Sequence, residues 1–111
     1  MIEVNVLELT GAALDWAVAK CEGFPDDMIN TKTGRVEVFY FPAWRPSTDW
    51  AIGGPIIERE LVTVGPNPFG RGFAANKKDI DMYGPTPLIA AMRCFVASKL
   101  GDEIKIPDEL M

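Results

Sequence analysis

The sequence predicts a small α+β domain with two main helices, one short helix and a short, mostly antiparallel sheet. Three observations carry that expectation. Two runs, 11–22 and 87–100, place apolar residues at helical spacing, and each follows a threonine suited to capping. Between them lie several short β-rich runs bounded by glycine and proline. Ten glycines and nine prolines in 111 residues imply much irregular backbone between a few regular elements. A chain of this length is expected to form one domain, 1–111. Such a domain buries roughly two-thirds of its unfolded surface, enough for one core without disulfide or metal.

The elements follow in order. Residues 2–6 read as a short strand. Thr10 is placed to cap a helix over 11–22, with Leu9 and Leu14 at the spacing of a hydrophobic staple. Leu14, Ala17, Val18 and Cys21 share its buried face, Trp16 and Lys20 lie elsewhere, and Gly23 supplies the left-handed terminator. Residues 24–34 read as a loop that turns at Pro25-Asp26-Asp27, and 35–41 as a strand built on Val36, Val38, Phe39, Tyr40 and Phe41. A loop over 42–54 then leads to Gly53-Gly54-Pro55. The short helix is expected to start at Pro55 and end near Glu60, because a proline amide is not needed at the first helical position. Residues 61–64 and 71–76 read as short strands around a loop at 65–70. Thr86 at the N-cap and Pro87 at the first position open the last helix. Its Leu88, Ala91, Met92, Phe95 and Leu100 face a core, Lys99 complements the helix dipole, and Gly101 ends it. The tail from Asp102 to Met111 is polar and reads as loosely docked.

Charge and composition narrow the function classes. Sixteen acids against eleven bases give a net charge of −5, with no basic run, so nucleic-acid binding is not expected. Nor is a membrane partner, since no apolar stretch has the length of a span and the start lacks the pattern of a signal peptide. A cytosolic protein is expected, with Cys21 and Cys94 as reduced thiols packed on helices. There is no histidine, which removes the commonest general base and metal ligand and any Ser–His or Cys–His nucleophile. No metal and no cofactor is expected. Gly70-Arg71-Gly72-Phe73-Ala74-Ala75 matches G-x-G-x-x-A formally, but no βαβ unit surrounds it.

A binding site is expected around Ser47–Pro55. Thr48, Asp49, Trp50, Gly53 and Gly54 are its candidate residues: the glycines permit close approach, and a helix start at Pro55 would offer free amides to a phosphate or carboxylate. Trp44 and Trp50 offer flat surfaces for stacking a ring. The Gly84-Pro85-Thr86-Pro87 helix start would add Tyr83 and Thr86 if it lay beside the Gly53-Gly54 turn. Arg59 is a further candidate for the anion, and mid-helix Arg93 is expected to pair with a buried acid such as Asp49 or Glu58. The plainer reading of the same residues is structural: local caps, a turn and core filling. Glu58 and Glu60 point to different helix faces and do not converge as a catalytic pair.

Three long runs occur in fixed order: ELTGAALDWAVAKCEG, PSTDWAIGGPIIERE and GPTPLIAAMRCFVASKLGDE. Spanning nearly half of the chain, they resemble the NinX-like family of small bacteriophage proteins. The resemblance implies a phage or prophage origin and a role inside an infected bacterium. It implies no reaction, and no catalytic residue is carried over from it. The expected function is a non-enzymatic accessory protein that binds a small anionic, nucleotide-like ligand in the host cytoplasm, with a homo-oligomer if the site spans an interface. The alternative is an interaction module that modulates a host protein. A third reading is a small hydrolase-type enzyme using Asp49, Glu58 or Arg59 in acid–base or phosphoryl chemistry.

Overall fold

The computed structural model describes residues 1–38 and 43–111. In chain order its regular elements are β1 (Ile2–Asn5), α1 (Gly11–Cys21), β2 (Ile29–Asn30), β3 (Glu37–Val38), α2 (Trp50–Glu60), β4 (Thr63–Pro66), β5 (Phe73–Lys77), β6 (Ile80–Gly84), α3 (Pro87–Leu100) and β7 (Glu103–Ile106). Single 3-10 turns occupy Val6–Glu8, Asp26–Met28 and Asp108–Leu110. Every strand pairing is antiparallel: β1 with β7, β2 with β3, and the meander β4-β5-β6. The architecture is α+β, as the sequence predicts.

α3 is the centre of the molecule because it is apolar on nearly every side. Leu88 and all residues from Ala90 to Ala97 are buried, and the meander, α1 and α2 all pack on it. Ala75 of β5 and Met82 of β6, paired in register, form the buried face of the meander. Leu9, Leu14 and Val18 from the α1 side join Met92 and Phe95 in the core. Both ends of α3 match the sequence signals: Thr86 Oγ1 accepts from the Ile89 amide at 3.1 Å, and Gly101 closes the helix at φ +91°. Leu100 is 44% exposed and does not join the core, contrary to expectation.

Several expectations are corrected. The tail is not loosely docked. Its Glu-Ile-Lys-Ile alternation forms β7, with Ile2 opposite Ile106 and Val4 opposite Ile104, and Val4, Ile104 and Ile106 are buried. The Val6 amide extends the ladder by donating to Asp102 O at 2.8 Å. β6 was not expected. It pairs with β5 through a turn in which Lys78 takes φ +57°, a conformation that glycine or asparagine would have advertised. α1 has its predicted bounds, but Thr10 makes no side-chain cap, and Trp16 is buried with the rest of the span from Ala13 to Ala19. The expected loop at 24–34 contains β2. Of the expected strand at 35–41, Glu37 and Val38 are β, while Phe39, Tyr40 and Phe41 lie outside the described residues.

The largest correction concerns α2. It starts at Trp50, not Pro55, and at eleven residues is as long as α1. Asp49 is its N-cap, accepting from the Ala51 amide at 2.9 Å. Pro55 lies inside the helix, and the Ala51 carbonyl that loses its donor there lies on a face where both residues are exposed to water. Gly53 is therefore helix interior, not turn. A Cβ at Gly53 would sit 2.4 Å from Pro46 O and 2.6 Å from Leu88 Cδ1, so its small size is what lets α2 lie against α3.

Candidate anion-binding pocket

Of the eight residues expected to bind a ligand, Thr48, Asp49, Trp50, Gly53 and Gly54 lie at or before the first half of α2, Arg59 near its other end, Tyr83 in β6 and Thr86 at the N-cap of α3. Thr48 and Asp49 close a turn onto Arg45 O and start α2, and the helix end that would attract an external anion already holds the Asp49 carboxylate. Trp50 is 56% exposed beside Gly54, whose Cβ position lies 3.7 Å from the Trp50 ring. Gly53 and Gly54 offer no free loop amides. Arg59 sits nine residues along α2 from Trp50, roughly 13 Å at the helical rise. It is bound to Glu22 and Glu60, with its guanidinium carbon 5.9 Å from the centre of the Phe95 ring. Those two carboxylates hold the Arg59 pKa above the usual arginine value. The Thr86 hydroxyl is engaged in its own cap. Tyr83 lies elsewhere, on a pocket that sequence reasoning missed.

That pocket is built around Arg93. The side chain projects from the middle of α3 and is only 7% exposed. Its partner is neither Asp49 nor Glu58, as was expected, but backbone. Nε donates to Leu9 O at 2.9 Å, and Nη1 to Tyr83 O at 2.7 Å. The remaining nitrogen, Nη2, has no acceptor among the described residues, yet it is not sealed off. Arg93 opens on a cavity of about 550 Å³ lined also by Leu7, Arg71, Gly72, Tyr83, Gly84 and Pro85. Two arginines thus share a cavity in which, among the described residues, no acid takes part. Burial pulls the Arg93 pKa down, with no carboxylate acting in the other direction. A guanidinium nevertheless stays charged at any physiological pH.

Local chemistry fixes each wall. Asn5 accepts from the Leu7 amide at 2.9 Å and so starts the 3-10 turn that presents Leu7. Asn67 ties down the β4–β5 loop: its Nδ2 donates to Arg71 O at 3.2 Å, its amide donates to Gly72 O at 3.0 Å, and its Oδ1 accepts from the Phe69 amide at 3.0 Å. Gly72 has φ +82°, and a Cβ there would lie 2.6 Å from Gly84 O. A Cβ on Gly84 would lie 2.7 Å from the Ala90 amide nitrogen. These two glycines let the loop close on β6 and β6 close on α3, which brings Arg71 to the cavity that holds Arg93. The formal glycine pattern at 70–75 is therefore a packing device and not a dinucleotide loop. The signal available in the sequence was Arg71 between two glycines, read only against the dinucleotide pattern.

The other candidate groups among the described residues are paired or buried. A second cavity of about 480 Å³ is lined by Trp16, Asp26, Thr31, Asp108 and Glu109 among others, but its groups already pair. The Met1 amine meets Asp108 at 3.0 Å, Thr31 donates to Glu109 at 2.6 Å, and Lys20 pairs with Asp26. Burial pushes the thiols of Cys21 and Cys94 up to about 12 and about 11, so neither is a nucleophile near neutral pH. Asp15 is 2% exposed and accepts from the Ser47 amide at 2.9 Å. Burial raises its pKa to about 6, and the Ser47 contact and the Arg45 charge offset only part of that. Among the described residues no three cysteine, aspartate or glutamate side chains converge as a metal site, and no helix is long and apolar enough to cross a membrane.

The family model described as Bacteriophage P22, NinX matches residues 5–99. That span runs from the Asn5 cap through nearly all of α3 and contains every residue that lines the Arg93 cavity. No curated protein matches the chain. Since the matched span covers most of its length, the chain belongs to the bacteriophage P22 NinX family.

Proposed function

We propose that this phage protein is an accessory factor that binds a small anionic ligand in the host cytoplasm and performs no chemistry on it. The observation that carries the reading is Arg93, a buried guanidinium with no acidic partner among the described residues, opening with Arg71 on one cavity. A buried charge without a counterion costs free energy, and two like charges in one cavity add to that cost. A phosphate or carboxylate would offset both, through charge-assisted hydrogen bonds from Nη2 and from Arg71. The cavity, at about 550 Å³, falls within the range of small-molecule sites. The absence of histidine and the unreactive thiols favour binding over catalysis.

Thermal stability against a panel of nucleotides, sugar phosphates and organic acids tests this. A true ligand at a hundred times its dissociation constant adds about 2.7 kcal/mol of stability. Arg71→Ala removes an exposed side chain, so it should leave the free protein's Tm unchanged and abolish the ligand shift. A panel without any shift, or a shift that survives Arg71→Ala, would refute the reading. The interaction-module reading keeps one observation in its favour: Phe69 and Trp50 are 86% and 56% exposed. It gains if Phe69→Ser and Trp50→Ser abolish capture of one host protein while no anion shifts the Tm.

A further inference from the structure

We infer that the ligand of the Arg93 pocket carries its charge at one end of an apolar body, as an aromatic or aliphatic carboxylate or monophosphate ester does. This rests on the Arg93 cavity being the binding site. Beyond the two guanidiniums and the Tyr83 phenol, the lining side chains carry no polar group. Leu7 and Pro85 are apolar, Pro85 has no amide hydrogen, and Gly72 and Gly84 carry no side chain. Two of the carbonyl oxygens at the rim are already engaged. Tyr83 O accepts from Arg93, and Gly72 O accepts from the Asn67 amide. A ligand with many hydroxyls, such as a sugar phosphate, would lose water there and find few replacement partners. An apolar body would instead cover Leu7, which is 44% exposed although it stands at a cavity mouth.

The Arg93 geometry limits the charge in the same way. Nε and one hydrogen of Nη1 are taken by Leu9 O and Tyr83 O, so Nη2 and the second Nη1 hydrogen are what Arg93 has left for an incoming oxygen. Arg71 supplies the second cation from the exposed side of the cavity. One anionic group matches this pair. A triphosphate would bring more negative charge than two guanidiniums balance.

The test measures dissociation constants of the intact chain for phenyl phosphate, benzoate, inorganic phosphate, acetate, glucose 6-phosphate and uncharged benzamide. Phenyl phosphate should bind about tenfold tighter than inorganic phosphate or glucose 6-phosphate, or benzoate about tenfold tighter than acetate. The pair that shows the preference tells phosphate from carboxylate chemistry, and benzamide should not bind. Leu7→Ser should erase the preference by weakening phenyl phosphate or benzoate about tenfold, toward inorganic phosphate or acetate. If inorganic phosphate or glucose 6-phosphate binds as tightly as phenyl phosphate and Arg71→Ala abolishes all of it, the anion site stands and the apolar body is refuted. If no probe binds, or binding ignores Arg71→Ala, the site itself is refuted.

Discussion

Two groups of basic side chains in this molecule are treated in opposite ways. Around Glu60, one carboxylate meets Arg59 at 2.9 Å, Lys77 at 3.1 Å and Lys99 at 3.4 Å, and Glu22 takes the free end of Arg59. Lys77 also donates to Glu60 O at 2.7 Å. That network ties the end of α2 to β5 and α3, and its charges are answered within the fold. Around the Arg93 cavity, two cations stand without an acid among the described residues. Cations that are compensated hold elements together. Arg93, held by backbone carbonyls and facing a cavity with Arg71, is the cation that the proposed function makes available to something from outside.

Asp15 sharpens the comparison most. It is also buried, but it lines neither cavity, and the Ser47 contact and the Arg45 charge compensate it only in part, so it takes up a proton more readily. Its pKa is raised from 3.8 to about 6, so the folded state holds a proton that the unfolded chain has already lost between those values. Stability therefore falls as pH rises from 3.8 to about 6 and stays lower above that, by about 3 kcal/mol. Asp15→Asn keeps an acceptor for the Ser47 amide. It should flatten that slope and stabilise the protein at pH 7 by up to the same amount. Urea denaturation at pH 4, 5, 6 and 7 checks this, and a mutant curve parallel to wild type would refute it.

Arg93→Met comes next. It leaves Leu9 O and Tyr83 O without their donor but also removes a buried charge, so a net loss of about 2 kcal/mol is expected, together with loss of any anion-induced shift. A destabilised mutant that still binds its anion would make Arg93 a structural clip and break the comparison. Glu60→Gln tests the compensated side. Arg59, with Lys77 and Lys99, holds the Glu60 carboxyl down to about 2, so its contribution is present above pH 4.5 and is lost as pH falls toward 2. The mutant should lose about 1 kcal/mol at pH 7 and become less acid-sensitive across that window, as read from unfolding at pH 2.5 and 7. Arg71→Ala should have the smallest effect on stability, within about 0.5 kcal/mol, and a large effect on binding alone.

The parts of this fold legible in the sequence are those whose signals are local. α3 shows a threonine cap, a first-position proline, an apolar stripe and a terminal glycine, and each has its expected place. α2 misled because Asp49 and Pro55 both signal a helix start. The one beside the glycine pair was taken, and the packing of Gly53 on Leu88 could not be seen. β7 exists through β1, its distant partner in the sequence, and β6 pairs with β5 across a Lys78-Asp79 turn that carries no glycine or asparagine to mark it. The burial of Arg93 was readable from its apolar neighbours. Its partners were not, because carbonyl oxygens carry no residue identity. Tyr83, Arg71 and Leu7 come together only once β6 and the 3-10 turn are placed on α3.

The pairing of β1 with β7 also bears on how the protein is made. Ile2 lies opposite Ile106 and Asn5 opposite Glu103, so on the ribosome β1 waits without its partner while everything between is translated. During that interval the Val4 side chain, later buried, has no β7 to cover it, and an uncovered strand edge invites pairing with a neighbouring nascent chain. A message cut short after α3 would yield a polypeptide that contains the whole Arg93 pocket but has an open edge.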